Sequence, residues 1–231
     1  MPECLIFGLF GTLVEYEVEC TSQDFTRCYQ KAAELGCAVG YADFVQVWDR
    51  ALLTLEQQAA PDNGEFHLSE VCDLVVGELG INATPREKDL LVSQYIEDWS
   101  ALVSPVPGAS GLLKRLSTHY RLALISNTHY PPMVYSLLDG LALTELFEVV
   151  TLSAELGRAK PHPLIFEKTL EKLALTATQA IYIGDSYEHD YKGARRVGMD
   201  CYLIGKHARV PRDHQLRNIL DLAISFKTSR K

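Results

Sequence analysis

Residues 4–16 read CLIFGLFGTLVEY. Four apolar residues, Cys4 to Phe7, run into Gly8, and Gly11-Thr12-Leu13 follows at once. A short apolar run that stops at a glycine has the form of a buried strand leading into a tight loop. Four further runs share that form: RLALIS ending at Ser126, FEVVTL at Leu152, AIYIG at Gly184 and DCYLI at Ile204. Between them lie helical patterns, GASGLLKRLSTH, PPMVYSLLDGL, PLIFEKTLEKL and YKGARRVG. Strands alternating with helices predict a parallel sheet covered on both faces, an α/β fold.

One long segment breaks the alternation. From about residue 15 to 104 the pattern is helical throughout. TSQDFTRCYQKAAELG sets Phe25, Cys28, Tyr29, Ala32 and Leu35 on one face after a Thr or Ser cap. YADFVQVWDRALLTLEQQAA continues until PDNG interrupts it, and HLSEVCDLVVGELG follows. TPREKDLLVSQYIEDWS opens with Thr84, Pro85 and Glu87, a capping box with proline at the first helical position. Four consecutive helices predict a small bundle inserted after the first strand, with SPVPG as the proline-rich return. The expected division is a sheet domain from residues 1–14 and 105–231 and a helical domain from 15–104.

Composition sets the class. Of 231 residues, 47% are hydrophobic and 23% charged, the balance of a globular protein with a proper core. The formal net charge of −8 argues against nonspecific binding to nucleic acid or anionic membrane. No apolar run approaches the roughly 18 to 20 residues of a membrane span. The N-terminus carries Glu3 in place of a basic region and does not read as a signal peptide. The six cysteines, Cys4, Cys20, Cys28, Cys37, Cys72 and Cys201, form no C-x-x-C pair and fall mostly in apolar periodic positions. They read as reduced core thiols of a cytoplasmic protein. Charge is divided: residues 15–104 hold 5 Lys/Arg against 17 Asp/Glu, a net of −12, and the remainder has 17 against 13, a net of +4. Acidic helices of this kind keep a protein in solution; they also suit selection of a ligand with a cationic part.

The candidate chemistry falls at strand ends, where a parallel sheet places its loops and helix N-termini. Ser126-Asn127 closes LALISN, Lys160 stands in GRAKPHPLIF before a helix, and Asp185 and Asp190 lie in IYIGDSYEHDYKGA. Hydroxyl, ammonium and loop amides at Gly11-Thr12 are the donors a phosphoryl group needs. Taken alone, each has a simpler reading: Ser126 ends a strand, Lys160 lies on the surface, Asp185 caps a helix.

In this order and spacing the four segments resemble the haloacid dehalogenase superfamily, and with the helical insertion the similarity spans nearly the whole chain. That resemblance implies a Rossmann-like, doubly wound parallel sheet core with an inserted four-helix cap that closes over the site. It implies Ser126 and Lys160 as a charge clamp, and Gly11, Thr12, Asn127 and, from the first helix, Arg27 as substrate contacts. It also implies Asp185, Asp190 and the Phe10 backbone carbonyl as ligands of Mg²⁺. The parent reaction would be Mg²⁺-assisted hydrolysis of a small phosphorylated metabolite through a covalent aspartyl intermediate.

Two positions depart from the family pattern. The nucleophilic aspartate of the superfamily falls at Gly8, and the acid/base aspartate of its phosphatases falls at Phe10. Glycine offers no carboxylate, so the covalent intermediate cannot form and one metal ligand is missing. No substitute is evident. Glu15 and Glu17 lie past the loop, Cys4 is inside the strand, and His129 and His189 read as hydrogen-bonded loop residues. The expectation is a hydrolase disabled at position 8. A binding or regulatory protein holding a small anion is the alternative, and carbon–halogen hydrolysis, suggested by Phe10, ranks third. Intact Ser126, Lys160, Asp185 and Asp190 favour recent loss of the carboxylate. No motif encodes the substrate or the oligomeric state.

Overall fold

The computed structural model of the protein describes residues 2–16 and 23–222. Glu17, Cys20 and the Thr or Ser expected to cap the first helix lie outside these residues. The chain forms two compact units, one from residues 1–15 with 104–231 and one from residues 16–103.

The first unit begins with β1 (Cys4–Phe7) and the short β2 (Val14–Glu15). The chain returns to it through β3 (Ser104–Pro105), which pairs antiparallel with β2. Then follow α5 (Ala109–Leu116), β4 (Arg121–Ser126), α6 (Pro131–Gly140), β5 (Val149–Leu152), α7 (Ser153–Leu156) and α8 (Pro163–Leu173). The unit continues through β6 (Ala180–Gly184), α9 (Lys192–Arg196), β7 (Asp200–Ile204) and β8 (Gln215–Leu216). Six of these strands form one sheet in the order β5-β4-β1-β6-β7-β8, and every neighbouring pair is parallel. The four strand ends expected at Ser126, Leu152, Gly184 and Ile204 are the observed ends. β8 and α7 were not foreseen, being too short to show a period.

All four residues of β1 are buried, as required of a central strand covered on both faces. Cys4 and Ile6 point to one face, packing with Ala123 and Ile125 of β4, Tyr182 of β6, and Ile165, Phe166 and Leu170 of α8. The strand order turns back at β1, with β4 on one side and β6 on the other. Such a reversal opens a crevice at the carboxyl ends of the strands, where Ser126, Asp185 and the Gly11-Thr12 loop lie.

The second unit holds α1 (Thr26–Glu34), α2 (Tyr41–Ala59), α3 (Leu68–Glu78) and α4 (Pro85–Ser100). The Thr84–Glu87 capping box forms, with the Thr84 N–H donating to Glu87 at 2.7 Å. Tyr95 is sandwiched between Trp48 and Phe25, with ring centroids 4.1 Å and 4.7 Å away. α1 starts later than its sequence pattern suggested, at Thr26, where Asp24 accepts the Thr26 N–H at 2.9 Å. No described helix is long and apolar enough to cross a membrane.

Candidate functional site

Lys160 reaches the site from the loop before α8, with a cis peptide to Pro161. Its backbone is fixed by Asn127, whose Oδ1 accepts the Lys160 N–H at 2.8 Å while its Nδ2 donates to the Lys160 carbonyl at 3.1 Å. Asn127, expected as a substrate contact, therefore has its amide committed to positioning the lysine. Lys160 is 8% exposed. Its ammonium donates to Asp190 Oδ1 at 2.7 Å and to the Tyr182 hydroxyl at 3.0 Å.

Asp190 sits in a π-helical turn, Tyr187–Tyr191, whose wide winding turns its side chain back onto the end of β6. A Cβ on Gly184 would overlap the Asp190 side chain, so the approach depends on glycine there. Oδ1 accepts from Lys160 and from Tyr182 at 2.9 Å, and Oδ2 accepts the N–H groups of Asp185 at 3.1 Å and Ser186 at 3.0 Å. Four bonds fill the lone-pair positions of a carboxylate. Burial pushes the Asp190 carboxyl up, but Lys160 and these donors outweigh it and hold the pKa below the ordinary range. Asp190, expected as a metal ligand, is thus the anchor of the lysine and of the Asp185 loop.

Asp185 lies open to solvent on one side. Its Oδ1 accepts from the buried Thr12 hydroxyl at 3.2 Å, so Thr12 also faces an internal partner. Gly11 has φ +70°, and a Cβ there would fall within the Asp185 carboxylate. The Gly11 loop and Asp185 fit only because position 11 has no side chain. Desolvation and then the Asp190 charge raise the Asp185 pKa. Ser126 is buried, and its hydroxyl makes a long 3.2 Å bond to the adjacent Asn127 carbonyl, and so can turn to another acceptor.

Gly8 is buried at the end of β1, and its φ lies outside the left-handed region. A Cβ built there would stand 3.0 Å from Thr12 Oγ1 and 3.5 Å from the Tyr182 hydroxyl. Phe10 is half-buried and forms an isolated bridge with Val14. Arg27, within the helical unit, donates to the buried Asp98 at 2.7 Å and is partnered without a ligand. Cys4 is fully buried, with its thiol pushed up to about 12, chiefly by desolvation. Among the described residues, Cys4, Cys28, Cys37, Cys72 and Cys201 are unpaired. His189 meets Ser186 Oγ at 3.2 Å, and Glu15 is exposed on β2.

Tyr182 is the residue the sequence reading missed. In AIYIG it passes for one more strand apolar, yet its hydroxyl bridges Lys160 and Asp190 in full burial. The available signal was a single hydroxyl in an otherwise aliphatic strand, two residues before Gly184. Burial and the nearby Asp190 charge raise its pKa well above that of a free phenol.

The residues present fit a divalent cation poorly. Among the described residues no group of three or more His, Cys, Asp or Glu side chains is gathered to hold one. Asp190 is saturated, which leaves Asp185 as the carboxylate with capacity for an added ligand.

The family model of haloacid dehalogenase-like hydrolases matches residues 64–204. The human haloacid dehalogenase-like hydrolase domain-containing protein 3 is 36% identical over 124 residues, 50% of this chain and 49% of that protein. The chain thus spans about half the length of that relative. The ribulose-1,5-bisphosphate 5-phosphatase of Halopiger xanaduensis is 25% identical over 213 residues, covering 88% of this chain and 84% of the enzyme. Among solved structures, the 2-haloacid dehalogenase of Pseudomonas syringae pv. Tomato DC3000 superposes with a TM-score of 0.76 at 20% identity, over 99% of this chain and 100% of that one.

Proposed function

Because the chain belongs to the haloacid dehalogenase-like hydrolase family, we propose that its sheet domain is a phosphatase site that binds a small phosphorylated metabolite but, with glycine at position 8, does not hydrolyse it by the covalent route. The observation that carries this reading is the buried Lys160 held at the strand ends by Asn127, Tyr182 and Asp190. An ammonium fixed in that way, with the Ser126 hydroxyl at the end of the adjacent strand β4, is a preorganised seat for phosphoryl oxygens. The resemblance to a ribulose-1,5-bisphosphate phosphatase over most of the chain supports phosphate esters as the ligand class. Gly8 and Phe10 leave the covalent route without a nucleophile and without a proton carrier. The helical unit would act as the cap that selects the organic part of the ligand.

The chain's own groups would bind and orient the ester and hold its charge, while Gly8 offers no carboxylate for attack. The testing experiment measures phosphate release from a panel of small phosphate esters, with Mg²⁺ supplied, for the protein as it stands and for Gly8→Asp. Turnover by Gly8→Asp alone supports the reading. Failure of both proteins to bind or hydrolyse any ester refutes it.

A further inference from the structure

We infer that the loop joining β7 to β8 carries a second anion site, built from residues other than those around Lys160, and that its ligand is a diphosphate group, either free or borne on an organic molecule. The inference is independent of position 8.

Residues 205–217 read GKHARVPRDHQLR. They hold four Lys/Arg against Asp213 alone, a net of +3 within a sheet domain whose whole net is +4. Lys206, Arg212 and Arg217 line one open cavity of about 800 Å³, a volume within the range of small-molecule sites. None of the described residues lining it is acidic, and the buried Val210 and Leu216 supply an apolar part of its wall. Lys206 and Arg212 have no ion-pair partner among the described residues. Arg217 is held by Asp221 through Nε and Nη2, at 3.1 and 3.0 Å, and its Nη1 is in neither bond.

Surface cations are most often simply solvated, and charges on an edge strand guard it against pairing with another sheet. Here Lys206 follows β7 and Arg212 precedes β8, so two of the three cations lie off the edge strand. The frame that carries them is fixed without a ligand. Gln215 Nε2 donates to the His207 and Val210 carbonyls at 3.0 and 2.6 Å, and its Oε1 accepts the His207 N–H at 3.3 Å. The His207 ring lies on Tyr187, with centroids 3.7 Å apart, and Gly205, at φ +104°, donates its N–H to the Leu216 carbonyl at 2.8 Å. Like charges sharing one cavity on a braced loop repel one another, and an anion of several oxygens relieves that repulsion with little ordering of the backbone. Guanidinium groups favour phosphoryl oxygens, which accept their paired N–H donors. Three cations offer more donors than one phosphoryl group can meet, which selects a diphosphate over orthophosphate.

The test titrates pyrophosphate, adenosine diphosphate and orthophosphate into the full chain by calorimetry, without divalent cations and at constant ionic strength. Pyrophosphate should bind saturably and about tenfold or more tighter than orthophosphate, the worth of an added charge-assisted hydrogen bond. Lys206→Ala/Arg212→Ala should weaken it by about tenfold or more. Lys114→Ala/Arg115→Ala, which removes the same charge from exposed positions on α5, should leave it unchanged. Circular dichroism and melting curves establish that both double variants are folded. Adenosine diphosphate matching pyrophosphate shows that the diphosphate group alone is held, and tighter binding shows that the organic part also contributes; both support the site. Absence of saturable binding by either diphosphate overturns it. So does an equal loss in the two double variants, which marks a general effect of charge, or no loss in Lys206→Ala/Arg212→Ala, which places the anion elsewhere.

Discussion

The Tyr182 hydroxyl lies 3.0 Å from Lys160 Nζ and 2.9 Å from Asp190 Oδ1, closing a buried three-membered ring of hydrogen bonds with the 2.7 Å ion pair. Each member satisfies the other two, so removing one leaves polar atoms stranded in the core. Tyr182→Phe keeps the ring packing against Phe166 and deletes only the oxygen. It should cost about 1–2 kcal/mol in urea unfolding, the loss of a hydrogen-bonding partner for two charged groups.

Lys160→Met is more severe. It leaves the Asp190 carboxylate buried with no counter-charge, and breaking such a pair from one side costs about 3–5 kcal/mol. The double variant Lys160→Met/Asp190→Asn removes the stranded charge and should recover part of that loss. If the two single effects simply add in the double variant, the ring is not the unit described above.

The acid limb of the stability curve should carry the signature of Asp190. Its pKa in the fold lies below the ordinary carboxylate value, so between the two values the unfolded chain binds more protons than the folded one. The contribution is complete above the unfolded pKa, about 4, and is lost as pH falls through the lower native value. Unfolding measured between neutral pH and pH 3 should show a fall that Asp190→Asn flattens.

Asp185 acts with the opposite sign. Its raised pKa means that the fold disfavours the ionised form, so its ionisation above the unfolded value weakens the native state. Solvent on its open side screens the effect and keeps it small. Asp185→Asn should therefore raise Tm at neutral pH by about 1–3 °C while weakening any cation binding. A lower Tm would show that the carboxylate stabilises its loop.

Gly11→Ala tests the loop itself. A side chain at φ +70° costs about 1–2 kcal/mol and would also push the Asp185 carboxylate off the loop. The expected result is a fall in stability larger than that of an alanine at Gly36, which has φ +98° but meets nothing within 4 Å.

The elements that set the fold could be read locally. AIYIG and RLALIS are apolar runs with sharp ends, and the strands they form end at Gly184 and Ser126 as their patterns indicate. Thr84, Pro85 and Glu87 announced α4 because a capping box is a contact over three residues. The finer arrangement was hidden because it depends on contacts distant in sequence. Asn127 turns its amide to Lys160, 33 residues away, and nothing in LISN says so. Tyr182 looks apolar until parallel pairing sets its hydroxyl beside Lys160. Asp190 reads as a free carboxylate, and only the π turn and the two backbone donors at Asp185 and Ser186 reveal that its oxygens are taken.

The antiparallel pairing of Val14 with Pro105 and of Glu15 with Ser104 has an evolutionary consequence. The helical insertion leaves and re-enters the sheet domain through adjacent strands, so its two attachment points are already a hairpin apart. Its length and sequence can therefore change by duplication, trimming or exchange without altering the register of β4, which ends at Ser126, or of β6, which leads to Asp185. Such a joint makes the insertion a replaceable module, free to vary while the sheet keeps its inherited geometry.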